Sequence, residues 1–174
     1  VEMTDVPSDA VKNKKNSSMS RAIESVSKKY SNAALSFGNT GALMTFALLM
    51  IKTLNDIRRP SIASIWPNLQ GDSIILDLGA NTKQDSRFLI DNAFLGSSLA
   101  SVLFNMERPS IGLLNVGVED NKGNEEIKTA SEKLRNLSIK NIINYYGFVE
   151  GNDISKGKTN VVVTDGFSGN IALK

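Results

Sequence analysis

Val161-Val162-Val163-Thr164-Asp165-Gly166-Phe167-Ser168-Gly169-Asn170 sets the class of this protein. Three successive valines, β-branched and without polar alternation, are the mark of a central strand buried on both faces. The run breaks into a turn of Asp, Gly, Ser and Asn, and a helix start is expected near Ser168. A strand that passes through a Gly turn into a helix is the unit from which α/β sheets are built.

The same unit recurs on either side. Ser73 to Asp77 holds Ile74-Ile75-Leu76 and ends in Asp77-Leu78-Gly79-Ala80-Asn81. Ile111 to Val116 ends in Asn115-Val116-Gly117-Val118-Glu119. Further strands are expected at Ser61 to Ile65, at Ile142 to Tyr146, and at the short run Ala33-Ala34-Leu35-Ser36. Helices fill the intervals. Ser17-Ser18 caps one whose apolar positions are Met19, Ala22, Ile23, Val26 and Tyr30. Asn39-Thr40-Gly41 opens a second, carried to about Ile57, and others run from Ser86 to Asn105 and from Glu125 to Leu137. From Ala42 to Ile51 nine of ten residues are apolar. A membrane span needs ~20, so this stretch reads as a buried helix. Strands of this length between long helices predict a three-layer α/β/α protein with a mostly parallel sheet, a single domain over residues 1–174.

The 174 residues are 41% hydrophobic and 22% charged, with no Cys and no His. Ser-His-Asp and Cys-His catalysis, disulfides and thiolate metal sites cannot be built from this chain. Its chemistry falls to Asp, Glu, Lys, Asn, Ser, Thr and backbone N–H groups. A net charge of +2 is too small to imply nucleic acid, but residues 1–30 hold six basic side chains against four acidic ones. Lys12, Lys14, Lys15, Arg21, Lys28 and Lys29 form a zone suited to a small anion or an acidic protein, or simply a solvated surface. No signal-peptide pattern opens the chain, which reads as cytosolic.

Ligands of open α/β sheets bind at the carboxyl ends of the strands. Four turns are placed to do so: Ser36-Phe37-Gly38-Asn39-Thr40-Gly41 and the turns at Asp77, Asn115 and Thr164. Gly lets backbone approach a ligand, and a following helix N-terminus offers N–H groups to an anion. No P-loop or G-x-G-x-x-G spacing is present, so a small anion such as phosphate fits better than a dinucleotide. Lys122, between a strand end and a helix, is placed either to neutralise phosphate or to pair with Glu119 or Asp120. Asp77 and Asp165 either act on a ligand or cap the next turn. Trp66, Met44 and Met50 read as packing residues.

In order, these motifs resemble the PlsX family of bacterial phosphate acyltransferases of phospholipid synthesis. The likeness runs from Lys14-Lys15-Asn16-Ser17-Ser18-Met19 to Asn170-Ile171-Ala172-Leu173-Lys174. It is densest in Gly38-Asn39-Thr40-Gly41-Ala42-Leu43-Met44, Leu76-Asp77-Leu78-Gly79-Ala80-Asn81, Gly112-Leu113-Leu114-Asn115-Val116-Gly117 and Val161 to Asn170. Arg59-Pro60, Lys122-Gly123-Asn124-Glu125 and Val149-Glu150-Gly151-Asn152-Asp153 also match. Phe37, Phe148 and Asn152 depart from the usual Ala, Asn and Arg.

The resemblance implies a fold like isocitrate and isopropylmalate dehydrogenases and phosphotransacetylase. It also implies a fragment without the family's N-terminal strand segment and C-terminal part, which bears dimer contacts and a membrane-binding element. The whole protein would be a cytoplasmic homodimer, peripheral to the inner face of the membrane. It would move a fatty acyl group from acyl-acyl carrier protein to inorganic phosphate, without cofactor or metal. Phosphate is already a nucleophile at neutral pH, so the work is positioning and oxyanion stabilisation. Lys122, Asn170 and Asp165 are the expected catalytic set. Asn39, Thr40, Gly41, Asp77, Asn81, Glu119, Gly166, Ser168 and Gly169 are the expected substrate and phosphate contacts. The lysine-rich residues 12–29 would dock the acidic carrier protein. Two other readings compete: a phosphate acetyl- or butyryltransferase using acyl-CoA, and a non-catalytic anion-binding module.

Overall fold

In a computed structural model that describes residues 1–81 and 85–174, the chain divides into two units, Val1–Pro60 and Ser61–Lys174. The first is helical: α1 (Pro7–Asn13), α2 (Ser18–Ser27) and α3 (Thr40–Met50). Ala10, Met19, Ile23, Ala42 and Phe46 form its core. The Ser17 hydroxyl caps α2 by accepting from the N–H of Ser20, as the sequence predicts. Three expectations fail in this unit. Residues 33–36 form no strand; Leu35 and Phe37 stand in solvent, and a short run without a paired edge holds no ladder. The apolar helix stops at Met50 rather than near Ile57. Lys52 takes a left-handed φ of 71° and its N–H reaches back to the Ala47 carbonyl, a C-terminal closure of helices. Nor is α3 buried all round: Leu48 and Leu49 are exposed.

The second unit carries the sheet: β1 (Ala63–Asn68), β2 (Gly71–Leu76), β3 (Ser110–Leu114), β4 (Asn144–Val149) and β5 (Val161–Val163). Their order is β1-β2-β5-β3-β4. β1 pairs antiparallel with β2 as a hairpin, and every other pairing is parallel. The three valines are thus central, Val161 lying beside Ile74 on one flank and Ile111 on the other.

Alternation of side chains along each strand divides the core in two. Ile74, Leu76, Ile111, Leu113, Val161 and Val163 face α4 (Ser86–Phe104) and α5 (Glu125–Ile139). Ile75 and Val162 face the opposite layer with Leu78, Val149 and Ile154, the last on α6 (Gly151–Lys156), and Trp66 packs there. α4 crosses the sheet at Gly96, where a Cβ would stand 2.5 Å from the Val161 methyl. The layering is the expected one. The sequence reads as a single domain over residues 1–174; the α/β architecture occupies Ser61–Lys174. α7 (Gly166–Leu173) follows β5 as the Gly turn predicts.

Candidate functional site

Because β2, β5, β3 and β4 are parallel, their carboxyl ends reach one edge of the sheet. The turns that leave β2, β3, β4 and β5 meet there. Each is built around one or two polar side chains.

Asp77, fully buried, organises the turn after β2. Its carboxylate accepts from the N–H groups of Ile62 (3.1 Å), Ala80 (3.0 Å) and Asn81 (2.8 Å), and from the Asn81 amide (3.1 Å). A buried carboxylate with this many donors is a turn organiser, the capping alternative read from the sequence. Asp165 does the same after β5. One oxygen accepts from the N–H groups of Phe167 and Ser168, each at 2.9 Å, and the other from the Ser168 hydroxyl at 2.7 Å. It is the N-cap of α7.

The two turns are locked to each other. Gly166 N–H donates to the Asn81 carbonyl at 3.0 Å, and the Asn170 amide donates to the Leu78 carbonyl at 3.4 Å. Gly79, at φ 124°, leaves room for Asn170, whose amide nitrogen lies 2.6 Å from where a Cβ would be. Gly169 packs on the Asp77 carbonyl in the same way. Asp77, Asn81, Asp165, Gly166, Ser168, Gly169 and Asn170 therefore come together. Much of their hydrogen bonding is spent within the assembly.

After β3, Asn115 is the organiser. Its buried amide donates to the carbonyls of Gly117 (3.0 Å) and Lys122 (3.2 Å), closing the loop that carries Lys122. Lys122 and Glu119 are exposed. Among the described residues, no ion pair engages the Lys122 ammonium: Asp120 is bound instead by Arg135, in two contacts of 2.7 and 3.3 Å. That guanidinium holds the Asp120 carboxyl below its ordinary range. The Lys122 ammonium is thus exposed on the loop that follows β3.

After β4, Glu150 and Asp153 cap α6 reciprocally. Burial pushes the Asp153 carboxyl up, but the Glu150 N–H and Lys158 more than offset this and hold it below the usual range. Between these turns lies a cavity of about 360 Å³, lined by Leu114, Asn115, Val116, Gly123, Asn124, Ile127, Gly151, Asp165 and Ser168. Asp165 and Ser168 are the expected residues that reach it. Asn115, Gly151 and Asn124 also line it and are not among the expected contacts. The signal for Asn115 was its place at the head of a Gly-rich turn, and for Asn124 its spacing to Ile127, whose N–H it caps.

Asn39, Thr40 and Gly41 belong to the helical unit. The Asn39 oxygen caps α3 through the Ala42 N–H at 2.9 Å, and its amide donates to the carbonyls of Met3 and Asp5. That side chain is engaged within its own unit, while Thr40 and Gly41 are exposed on the first turn of α3.

Turns rich in Gly, Asn and Asp at the carboxyl edge of a mostly parallel sheet define an open α/β protein with a strand-end ligand site. The similarity of the chain to known proteins narrows that class. It belongs to the family described as Fatty acid synthesis protein, whose sequence model matches residues 1–174. Proteins named phosphate acyltransferase from Chelativorans sp. (strain BNC1) and Azorhizobium caulinodans are 51% and 53% identical to it. Both matches cover 100% of this chain, and 50% and 49% of those proteins. The chain therefore spans about half the length of the curated relatives it matches. Among solved structures, the EutD phosphotransacetylase from Staphylococcus aureus superposes with a TM-score of 0.59 at 18% identity, covering 75% of this chain and 45% of that one. That likeness shows a shared fold. The resemblance read from the turns is the family to which the chain belongs.

Proposed function

We propose that the protein containing this chain transfers a fatty acyl group from acyl-acyl carrier protein to inorganic phosphate. The product, an acyl phosphate, feeds phospholipid synthesis. The observation that carries this reading is the identity of about half of all residues, across the whole chain, with proteins named phosphate acyltransferase. The strand-end site supports it. A phosphate oxygen attacks the thioester carbonyl carbon, and a tetrahedral oxyanion forms. The carbon–sulfur bond then breaks, and the proton borne by hydrogen phosphate leaves with the thiol. No Cys or His is required.

On this reading Lys122 neutralises phosphate, and the α7 turn with Ser168 and Asn170 faces the reacting carbonyl. Asp165 and Asp77 hold these groups in place rather than touching the anion, which their charge would repel. Glu119 and Asn81 support the flanking loops, and Thr40 and Gly41 offer N–H groups to an anion. Acyl carrier protein docks on the basic residues of 12–29. Lys14 pairs with Asp5 and Lys28 with Glu24, which makes Lys12, Lys15 and Lys29 the better contacts. Reversing Lys12 and Lys15 should weaken carrier binding and flatten its salt dependence; unchanged binding would refute this docking. The complete protein would be a homodimer peripheral to the cytoplasmic face of the membrane. Sedimentation as a monomer, or failure to float with anionic vesicles, would refute the corresponding part.

The test of the reaction uses the complete protein with acyl-carrier protein and phosphate, trapping acyl phosphate with hydroxylamine. Phosphate-dependent product is expected. Activity with acyl-CoA alone would select the acetyl- or butyryltransferase reading, and no product from folded protein would leave a binding module.

A further inference from the structure

The strand-end cavity has two unlike walls. Asn115, Asp165 and Ser168 are polar, whereas Leu114, Val116 and Ile127 are apolar. Ile127 is buried and Leu114 half-buried, but Val116 is 82% exposed. Its exposure is not slackness of the loop. Val116 follows Asn115, whose buried amide ties down the carbonyls of Gly117 and Lys122, and the Asn115 N–H donates to the Val149 carbonyl at 2.9 Å. A valine fixed in water beside an apolar cavity wall gains from any apolar surface laid over it. Val118, two residues on, is also half exposed.

A site that is apolar on one side and polar on the other fits an amphiphile. We propose that Leu114, Val116 and Ile127 receive the first methylenes of an alkyl chain whose carbonyl head lies toward the α7 turn at Ser168, Val116 grading the response to chain length. This rests on the acyl-transfer reading above. At about 360 Å³ the cavity has room for on the order of a dozen water-sized groups, enough for a head and a short run of methylenes. A longer chain leaves across Val116.

The test uses the complete protein, wild type and Val116→Ser, with octylphosphonate and methylphosphonate as probes in calorimetry. Wild type should bind octylphosphonate the more tightly. Val116→Ser should lower that affinity roughly threefold to tenfold and leave methylphosphonate unchanged. Equal affinity of wild type for the two probes would overturn the proposal, as would equal losses for both in the variant. In parallel, the ratio of kcat/KM for long over short acyl donors should fall in Val116→Ser. If wild type turns over no donor, the acyl-transfer reading fails by itself, and the phosphonate comparison still decides the role of the wall.

Discussion

Gly169 lies so close to the backbone of Asp77 that a Cβ built on it would overlap the Asp77 carbonyl oxygen. The start of α7 and the end of β2 touch here without an intervening side chain. Gly169→Ala should cost about 1–3 kcal/mol in chemical denaturation, because backbone rather than a flexible side chain must yield. Gly151→Ala is the control: among the described residues nothing stands within 4 Å of its Cβ position, and stability should hold or rise slightly.

Asp165 uses both carboxylate oxygens to close the first turn of α7. Asp165→Ala should cost about 1–2 kcal/mol, and Asp165→Asn, which keeps a capping oxygen, much less. Thermal melts of the two variants check this. Activity that follows the same order would mark Asp165 as a positioning residue.

Lys122 is exposed and, among the described residues, makes no ion pair, so Lys122→Ala should leave stability within about 0.5 kcal/mol. In the complete protein the same change should raise the KM for phosphate roughly tenfold or more, the value of a hydrogen bond to a charged group. Lys122→Arg should recover part of it. An unchanged phosphate KM would remove Lys122 from the site.

Tyr145 is packed under α5 with its hydroxyl 2.7 Å from that of Ser131. Burial pushes its pKa up to about 12. The folded protein therefore keeps a proton that the unfolded chain releases near pH 10. Its contribution to stability is complete below pH 10 and is lost as pH rises toward 12. Denaturation curves of wild type and Tyr145→Phe should converge over that interval, the variant starting about 1 kcal/mol lower because Ser131 loses its partner.

The carboxyl of Asp153 behaves in the opposite sense. Held below its ordinary value, it supports folding above the unfolded pKa of about 3.9, and that support fades as pH drops through the folded value. Acid titration of Asp153→Asn should show a shallower loss of stability below pH 4 than wild type.

The sheet was readable because its strands are blocks of β-branched and aliphatic residues bounded by Gly turns, and β5 is the clearest instance. What escaped was short or conditional. α1 and α6 have 7 and 6 residues, too few to display a helical period. The fourth strand was expected from Ile142 to Tyr146 and runs from Asn144 to Val149, since Ile142 is exposed while Phe148 and Val149 enter the core. In the site, the turns were legible but the duties of their side chains were not. Asn and Asp are chosen both to cap a turn and to contact an anion, so Asn39, Asp77 and Asp165 carried both meanings until their partners were known. The exposure of Val116 depends on how the loop closes over Asn115, which no local pattern records.

Strand order has a consequence for assembly during synthesis. β5 fills the slot between β2 and β3, joining Ser73 to Thr159, 86 positions apart, and Ser110 to Asn160, 50 apart. The emerging chain holds β2 and β3 as unzipped edges until residues 161–163 leave the ribosome. Contacts this distant slow folding, and open edges invite pairing with other chains. The same segment brings Asp165 and Ser168 to the cavity, so these two lining residues arrive in the step that seals the sheet.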